Sequence, residues 1–301
     1  MRRYAGLLLI FALVAAFAGA QERTAPSLVS AQAAVLMDRH TGLVLWSLNP
    51  DEPLEMASTT KIMTAMVMLD HGSDRLDEPV TVRERHLVGG SSTFAAHDVV
   101  TLRGLLMAAL INSSNEATVA AADFLAGDEA TFIQWMNDKA KELGMGHTHF
   151  SNPHGFSKPP RYRHDHKMSA YDLALMTRYA LTNYPLIRQI IATKLDHIST
   201  EGQRLVRLES HNKNLNKMVP GVPGAVVDGV KTGFIRESGR CYVTSATHNG
   251  WQLIAVVLND PHDFQDAMTL LHYGFTRYQW KTYASPELPG MAARVARGAA
   301  A

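Results

Sequence analysis

A single lysine lies inside an apolar run and constrains how that part of the chain folds. The run, "MASTTKIMTAMVML" at residues 56–69, otherwise consists of apolar and small residues. A charged ammonium is costly to bury unless it is paired or neutral. Lys61 follows Ser58 by three residues, a spacing that places two side chains on one face of a helix. We therefore expect Ser58 to cap a helix whose apolar residues bury Lys61.

This pair of residues suggests nucleophilic chemistry. Burial disfavours the charged form of a lysine and lowers its pKa. A neutral lysine can then take the proton of a neighbouring serine hydroxyl and activate it as a nucleophile. The four-residue pattern alone is a weak signal, because it recurs at Ser210 and Lys213 in "ESHNKNLNK". No apolar helical run follows that second pair, so residues 210–213 are predicted to form a polar loop.

The two ends of the chain differ in character from its middle. Residues 1–20 contain two arginines, an apolar stretch over positions 7–17 and a small-residue triplet at 18–20. This pattern is typical of a secretory signal peptide cut after Ala20, and the apolar stretch is short for a membrane span. We expect residues 21–282 to form one exported domain and residues 283–301 to be a disordered tail.

Composition excludes two broad classes of protein. With 46% hydrophobic and 19% charged residues, the 301-residue chain can fill a large core and lacks the disorder signature. Its net charge of +1 gives no sign of the concentrated basic face of a nucleic-acid-binding protein. The single cysteine, Cys241, precludes an intrachain disulfide and is predicted to be buried packing in a strand.

The pattern along the chain predicts an α/β (α+β) fold. Two short strands come first, then a block of helices, then three apolar strands and a closing helix. The predicted helices begin at Ser58, Thr101, Glu116, Asp128, Ser169 and Asp260, and the late strands are "GVKTGF", "RCYVTSAT" and "WQLIAVVLN". This order fits one sheet built from both chain ends, with the helices inserted between them.

Two further motifs follow the Ser58–Lys61 pair. Ser113, Ser114 and Asn115 lie in the predicted break between two helices, and "KTG" at residues 231–233 lies on a predicted strand. Ser-x-x-Lys, Ser-x-Asn and Lys-Thr-Gly, in that order, form the motif set of penicillin-binding proteins and class A β-lactamases. Together the three motifs are far more specific than any one of them.

On these motifs the chain resembles the low-molecular-mass penicillin-binding proteins, the serine D-alanyl-D-alanine peptidases. Within them it looks most like the small periplasmic DD-endopeptidases, and the resemblance covers residues 30–280. It implies a penicillin-binding/β-lactamase-like fold, with a mostly antiparallel central sheet between helices and a helical subdomain. It implies peptidoglycan stem peptides as substrates, β-lactams as covalent inhibitors, a periplasmic location and no cofactor. No nucleic-acid partner and no stable membrane anchor after signal cleavage are expected.

The resemblance also implies catalytic roles. Ser58 matches the nucleophile that forms the acyl-enzyme, and Lys61 matches the base that takes its proton. Ser113 matches the serine that relays a proton towards the leaving amine. Asn115 matches the asparagine that holds Lys61 and the substrate backbone. The middle residue of this motif is Ser114, where glycine is common in the peptidases, and little consequence is expected.

The late strand is implied to line the substrate cleft. Lys231 matches the cation that faces the cleft, and Thr232 matches a hydrogen-bond partner of a substrate carboxylate or amide. Gly233 is expected to lack a side chain because substrate lies against this strand. The backbone N–H groups of Phe234 and Ser58 are implied to form the oxyanion hole.

Two departures favour endopeptidase over carboxypeptidase action. The segment "LNDPHDF" lacks the arginine that carboxypeptidases of the family often place there for the terminal carboxylate. The short C-terminus also leaves no room for the β-rich domain and amphipathic anchor of the larger carboxypeptidases.

Three alternatives remain open at this point. A β-lactamase would need a glutamate for deacylation, and "HTHFSNPHGFS" has no acidic residue. A metal site could use the histidines that cluster in sequence at 147, 149, 154, 164 and 166. A non-catalytic module that binds peptidoglycan or senses penicillin would keep the same motifs.

Overall fold

The computed structural model describes residues 28–90, 92–156 and 165–280. The strands are β1 (Ala33–Asp38), β2 (Val44–Leu48), β3 (Pro79–Thr81), β4 (Val99–Thr101), β5 (Leu195–Ser199), β6 (Leu205–Glu209), β7 (Val226–Ile235), β8 (Gly239–His248) and β9 (Trp251–Leu258). The helices are α1 (Lys61–Gly72), α2 (Leu102–Ile111), α3 (Asn115–Ala126), α4 (Glu129–Glu142), α5 (Ala170–Asn183), α6 (Pro185–Ile191) and α7 (Asp263–Arg277).

The central sheet joins the two ends of the described chain. Its strand order is β2-β1-β9-β8-β7, and every neighbouring pair is antiparallel. All of β1 is buried, and so is β9 apart from its first two residues, which are half-buried. Strands that are covered on both faces need apolar residues on both, which explains their almost continuous apolar sequences. β7 lies at one edge of this sheet, so one side of the "KTG" segment is not paired with a strand and can contact other elements. The predicted sheet from both chain ends is thereby confirmed.

Helices cover both faces of this sheet. The larger core packs one face against α1 to α6, and a second core packs the opposite face against α7. Within the larger core, α1 is buried along nearly its whole length, which accounts for the absence of polar residues on most of its surface. This arrangement is the predicted mostly antiparallel sheet between helices.

Polar caps fix where the helices begin. The side chains of Thr101, Asp128 and Ser169 accept hydrogen bonds from backbone N–H groups three residues later. Each satisfies one of the unpaired donors of a helix N-terminus. The predicted starts near these three residues are confirmed, as are the three late strands and the burial of Cys241.

Some elements were not predicted from the sequence. The β5–β6 hairpin and α6 lie in segments without strong periodicity, whereas β3 and β4 fall where residues 80–100 predict short strands and loops. Exposed residues alternate with half-buried ones in β5 and with buried ones in β6, and Leu195 and Leu205 are exposed. The predicted signal peptide and tail lie outside the described residues. Within the described part of the chain, no helix is long and apolar enough to cross a membrane.

Candidate active site

Ser58 lies in a tight turn ahead of α1. Residues Ala57–Thr60 form one turn of 3-10 helix, and α1 begins only at Lys61. The prediction that Ser58 caps the helix through its side chain is wrong, because no side-chain cap is made here. Ala57 has a φ of 47°, in the left-handed region that a non-glycine residue seldom adopts. The Ser58 hydroxyl therefore does not cap the helix and is available for its hydrogen bond with Lys61.

Lys61 is fully buried and its ammonium has three hydrogen-bond partners. Nζ donates to Ser58 Oγ at 2.9 Å, to Asn115 Oδ1 at 2.7 Å and to the His154 carbonyl at 2.7 Å. Burial, and then the positive charge of Lys231, hold the pKa of Lys61 well below its usual 10.5. Glu116 acts in the opposite direction. All three partners are neutral oxygen atoms. When Lys61 is neutral, its two N–H bonds can donate to Asn115 and His154, and the Ser58 hydroxyl can then donate to the lone pair of Nζ.

A second serine and lysine face the same cleft. Lys231 Nζ donates to Ser113 Oγ at 2.9 Å and to the Thr232 carbonyl at 2.9 Å. Burial lowers the pKa of Lys231 to about 7. Ser113 itself has a φ of 60°, so it adopts the left-handed backbone conformation, as Ala57 does. Strained conformations of this kind persist only where the surroundings fix them, and they cluster at functional sites.

The residues that follow Ser113 have distinct local tasks. Ser114 is the N-cap of α3, and its side chain accepts a hydrogen bond from the N–H of Ala117 at 3.1 Å. Asn115 extends from the first residue of that helix, with Oδ1 on Lys61 and Nδ2 donating to the Gly89 carbonyl at 2.7 Å. The amide thereby connects the lysine to the loop that forms one wall of the cleft.

Gly233 allows β7 to lie directly against the Ser58 turn. A Cβ at this position would lie 2.9 Å from the Met56 carbonyl and 3.0 Å from the Ser58 nitrogen. The sequence-based reason for this glycine, room for substrate, is therefore not the one that the structure shows. The close neighbour is the chain's own nucleophile turn, while Phe234, the next residue, is 66% exposed at the cleft.

These residues border a cleft of about 1120 Å³. Ser58, Ser113, Asn115, Thr232, Gly233 and Phe234 all line it. Other lining residues were not identified from the sequence. They come from the β5–β6 hairpin and the loop after it, from the β7–β8 turn and from the start of α7; they include Arg204, Arg207, His211, Lys213, Arg236, Glu237, Arg240 and Asp263. Basic side chains outnumber acidic ones in this set, which suits a substrate that carries carboxylates.

The second Ser-x-x-Lys pattern forms a loop, as predicted. Ser210 accepts a hydrogen bond from the N–H of Asn212 at 3.2 Å, and Lys213 is exposed with its ammonium 5.8 Å from the Phe264 ring. His211, between them, reaches the cleft, and burial together with Lys231 lowers its pKa. Proximity to the cleft therefore comes from the tertiary fold and not from the pattern.

The histidines that cluster in sequence have different surroundings and partners in the fold. His154 contributes its carbonyl to Lys61, and His166 is buried with Nε2 2.7 Å from Thr60 Oγ1. His147 and His149 are exposed and lie 3.8 Å from Asp51 and 3.7 Å from Asp165 respectively. The described residues contain no group of three or more His, Cys, Asp or Glu side chains that could hold a metal ion. His164 lies outside them.

The sequence matches the profile of the D-alanyl-D-alanine carboxypeptidases, peptidase family S11, over residues 20–262. The chain belongs to this family. Among S11 relatives, it is 35% identical to the D-alanyl-D-alanine carboxypeptidase DacF of Bacillus subtilis (strain 168), over 91% of this chain and 70% of that protein. It is 34% identical to the D-alanyl-D-alanine endopeptidase of Pseudomonas aeruginosa, over 75% of this chain and 70% of that one.

A solved structure of the same fold contains a β-lactam. Penicillin-binding protein D2 from Listeria monocytogenes, in its ampicillin-bound form, superimposes with a TM-score of 0.70 at 28% identity. The match covers 82% of this chain and 98% of that one. The S11 assignment and the predicted penicillin-binding fold thus agree with both the sequence and the architecture.

Proposed function

We propose that this S11 protein is a serine peptidase that hydrolyses D-alanyl peptide bonds of peptidoglycan through an acyl-enzyme on Ser58. One observation carries the assignment: Nζ of a fully buried lysine lies 2.9 Å from Oγ of Ser58, within hydrogen-bond distance of the proton it would take. A serine needs an adjacent base to attack a carbonyl at neutral pH, and a lysine with a lowered pKa supplies one.

Acylation begins with neutral Lys61. Its amine takes the proton of Ser58 while Oγ bonds to the carbonyl carbon of the D-alanine that precedes the scissile bond. The oxyanion that forms accepts hydrogen bonds from the backbone N–H groups of Ser58 and Phe234. The C–N bond then breaks, and the leaving amine takes a proton that comes from Lys61 by way of Ser113. Lys61 is neutral again at the end of this step.

Deacylation uses the same groups. Lys61 takes a proton from a water molecule, the hydroxide adds to the acyl carbon, and Ser58 leaves with its proton restored. Asn115 holds both Lys61 and the substrate backbone. Thr232, which lines the cleft, hydrogen-bonds the carboxylate of the leaving residue. Lys231 is buried and acts on the same site through its bond to Ser113. No step requires a cofactor.

Several features favour cross-linked peptides as substrates. The segment after β9, "LNDPHDF", has no arginine for a terminal carboxylate. The cleft is also open enough, at about 1120 Å³, for more than one residue on either side of Ser58. We infer a DD-endopeptidase of D-alanyl–diaminopimelate cross-links, exported to the periplasm by a signal peptide at residues 1–20.

Penicillin should react at the same serine and remain attached. Ring opening of a β-lactam supplies the acyl group, and "HTHFSNPHGFS" contains no carboxylate to activate water as a β-lactamase would. The acyl-enzyme is therefore expected to decay slowly.

The decisive experiment is mass spectrometry of products from purified cross-linked and monomeric muropeptides. Conversion of dimers to monomers identifies an endopeptidase, and loss of a terminal D-alanine identifies a carboxypeptidase. Penicillin labelling without turnover of either substrate would identify a sensor instead and overturn the proposal.

A further inference from the structure

His166 is a buried ring that the proposed chemistry does not use. It is 1% exposed and lies against the turn that contains the nucleophile. Its ring meets the edge of Phe150 at a centroid distance of 5.8 Å, so its orientation is fixed by packing as well as by polar contacts. Both ring nitrogen atoms of His166 are hydrogen-bonded, and the ring is fully buried beside the turn that contains Ser58. These features indicate a specific role for this side chain.

The hydrogen bonds of His166 define its tautomer. The backbone N–H of Ser151 donates to Nδ1 at 3.0 Å, so that nitrogen is an acceptor and has no proton. The proton of the neutral ring is therefore on Nε2, which lies 2.7 Å from Thr60 Oγ1 and donates to it. Burial, His149 and Lys61 lower the pKa of His166 to about 3, which keeps the ring neutral at the pH of the reaction.

Thr60 connects His166 to Ala57, the residue before the nucleophile, through two hydrogen bonds of its hydroxyl. Because its oxygen accepts from His166, its own hydroxyl proton is directed elsewhere, and it donates to the Ala57 carbonyl at 2.7 Å. Ala57 has a φ of 47°, and a left-handed non-glycine residue costs on the order of 1–3 kcal/mol unless its surroundings hold it. The conformation of Ala57 in turn directs the Ser58 side chain towards Lys61.

The backbone at Gly155 lies against the same carbonyl, close to the Thr60 hydroxyl. A Cβ on Gly155 would lie 1.8 Å from the Ala57 oxygen, so the loop that contains Ser151 packs directly against the turn. His154, in this loop, also supplies a carbonyl to Lys61. The His-containing loop and the nucleophile turn therefore form one unit, and His166 joins them.

We propose that His166, as the neutral Nε2–H tautomer, is a positioning residue that holds Ser58 in its attacking geometry through Thr60 and Ala57. This inference rests on the proposed Ser58 nucleophile, and it assigns a role in acylation to a histidine that touches no substrate. Small misplacements of a nucleophile can cost about 100-fold in rate, so the effect should be measurable.

The test separates the two ring nitrogen atoms. Glutamine can place an N–H near the position of Nε2, whereas asparagine reaches only the position of Nδ1. The rate constant for acylation by saturating fluorescent penicillin, and the apparent dissociation constant, are measured for wild type, His166→Gln, His166→Asn and His147→Asn. His147 is an exposed histidine of the same region and serves as the matched control.

We expect His166→Asn to lower the acylation rate constant by at least about tenfold, with little change in the dissociation constant. His166→Gln should stay within about threefold of wild type, and His147→Asn should equal it. Thr60→Val should reproduce the loss, Thr60→Ser should not, and the double variant Thr60→Val/His166→Asn should be no slower than the slower single variant.

Three results would overturn the inference. They are wild-type acylation by His166→Asn, equal losses in His166→Gln and His166→Asn, and losses in the double variant that multiply. If His166→Asn does not fold, the Thr60→Val and Thr60→Ser pair decides by the same rate constant. Failure of wild type to be labelled would instead contradict the proposed nucleophile, so the two failures are distinguishable.

Discussion

The positive charge of Lys231 lowers the pKa of Lys61, although the two residues are 170 positions apart in sequence. Each lysine donates to a serine hydroxyl at 2.9 Å, Lys61 to Ser58 and Lys231 to Ser113. After burial itself, the positive charge of Lys231 is the second cause that disfavours the charged form of Lys61. The cleft therefore favours a neutral base next to the nucleophile.

This relationship predicts the pH dependence of acylation. The reaction needs neutral Lys61, so its rate falls on the acid side as Lys61 becomes protonated. Lys231→Gln removes a charge that lowers the pKa of Lys61, and the acid limb should move to higher pH. Glu116→Gln removes a charge that raises this pKa, and the limb should move to lower pH.

The measurement is the rate constant for penicillin acylation across a pH series for the three proteins. Shifts of the same sign in both variants would contradict the electrostatic account. Glutamine at position 116 can still accept the backbone N–H bonds of Thr93 and Phe94 that Glu116 Oε1 accepts, so the loop should stay in place.

Removal of the nucleophile should abolish both activities. Ser58→Ala leaves Lys61 with no hydroxyl to deprotonate, so muropeptide turnover and penicillin labelling should both fall by at least about 1000-fold. The thermal unfolding midpoint should stay close to that of wild type, since Ser58 is only partly buried. Ser210→Ala, in the second Ser-x-x-Lys pattern, is the matched control and should retain activity. Turnover in Ser58→Ala would refute the assignment.

The low pKa of Lys231 predicts that stability rises with pH. Its pKa is about 7 when folded and 10.5 in its ordinary state, so the unfolded chain binds more protons between these values. The free energy of unfolding should then increase with pH by up to about 1.4 kcal/mol per unit from this group. Below this interval both states are protonated and the slope disappears.

Urea unfolding of wild type and Lys231→Met at several pH values isolates this contribution. The difference in unfolding free energy should move in favour of wild type as the pH rises from about 7 to about 10. Lys217→Met, at an exposed position, is the control. A difference for Lys231→Met that does not vary with pH would contradict the prediction.

Gly233→Ala should damage catalysis more than stability. The new Cβ would lie 2.9 Å from the Met56 carbonyl and 3.0 Å from the Ser58 nitrogen, so β7 and the nucleophile turn must separate. Acylation should slow by about 10- to 100-fold. Gly146→Ala is the control, because nothing lies within 4 Å of its Cβ. Comparable acylation rates in the two variants would show that catalysis does not need the close contact between β7 and the Ser58 turn.

Ser114 should stabilise α3 as its N-cap. Ser114→Ala removes the bond to the Ala117 N–H and should cost about 1 kcal/mol of unfolding free energy, whereas Ser114→Gly should cost only a few tenths. Chemical denaturation measures both. An alanine variant as stable as wild type would exclude the capping role. Glycine at position 114 should therefore be tolerated, because glycine is only slightly less favourable than serine as an N-cap.

Sequence patterns correctly predicted the elements that are stabilised by contacts between residues close in sequence. Thr101 and Ser169 cap their helices where the sequence predicted, because a cap and its N–H partner are three residues apart. β9 was predicted from its apolar run. The β5–β6 hairpin was missed because its buried residues, Val206 and Leu208, belong to the larger core with residues that are distant in sequence.

The sequence by itself determined the motifs, the order of most helices and of the late strands, the family and the burial of Lys61. Only the tertiary structure decided that Ser58 lies in a 3-10 turn, that Gly233 makes room for this turn, and that His166 hydrogen-bonds Thr60 within it. Those features depend on contacts such as Lys61 with the His154 carbonyl, 93 residues away. Spacing along a chain reports neighbours within a helix or strand, but a site assembled from separate elements is fixed by how those elements pack.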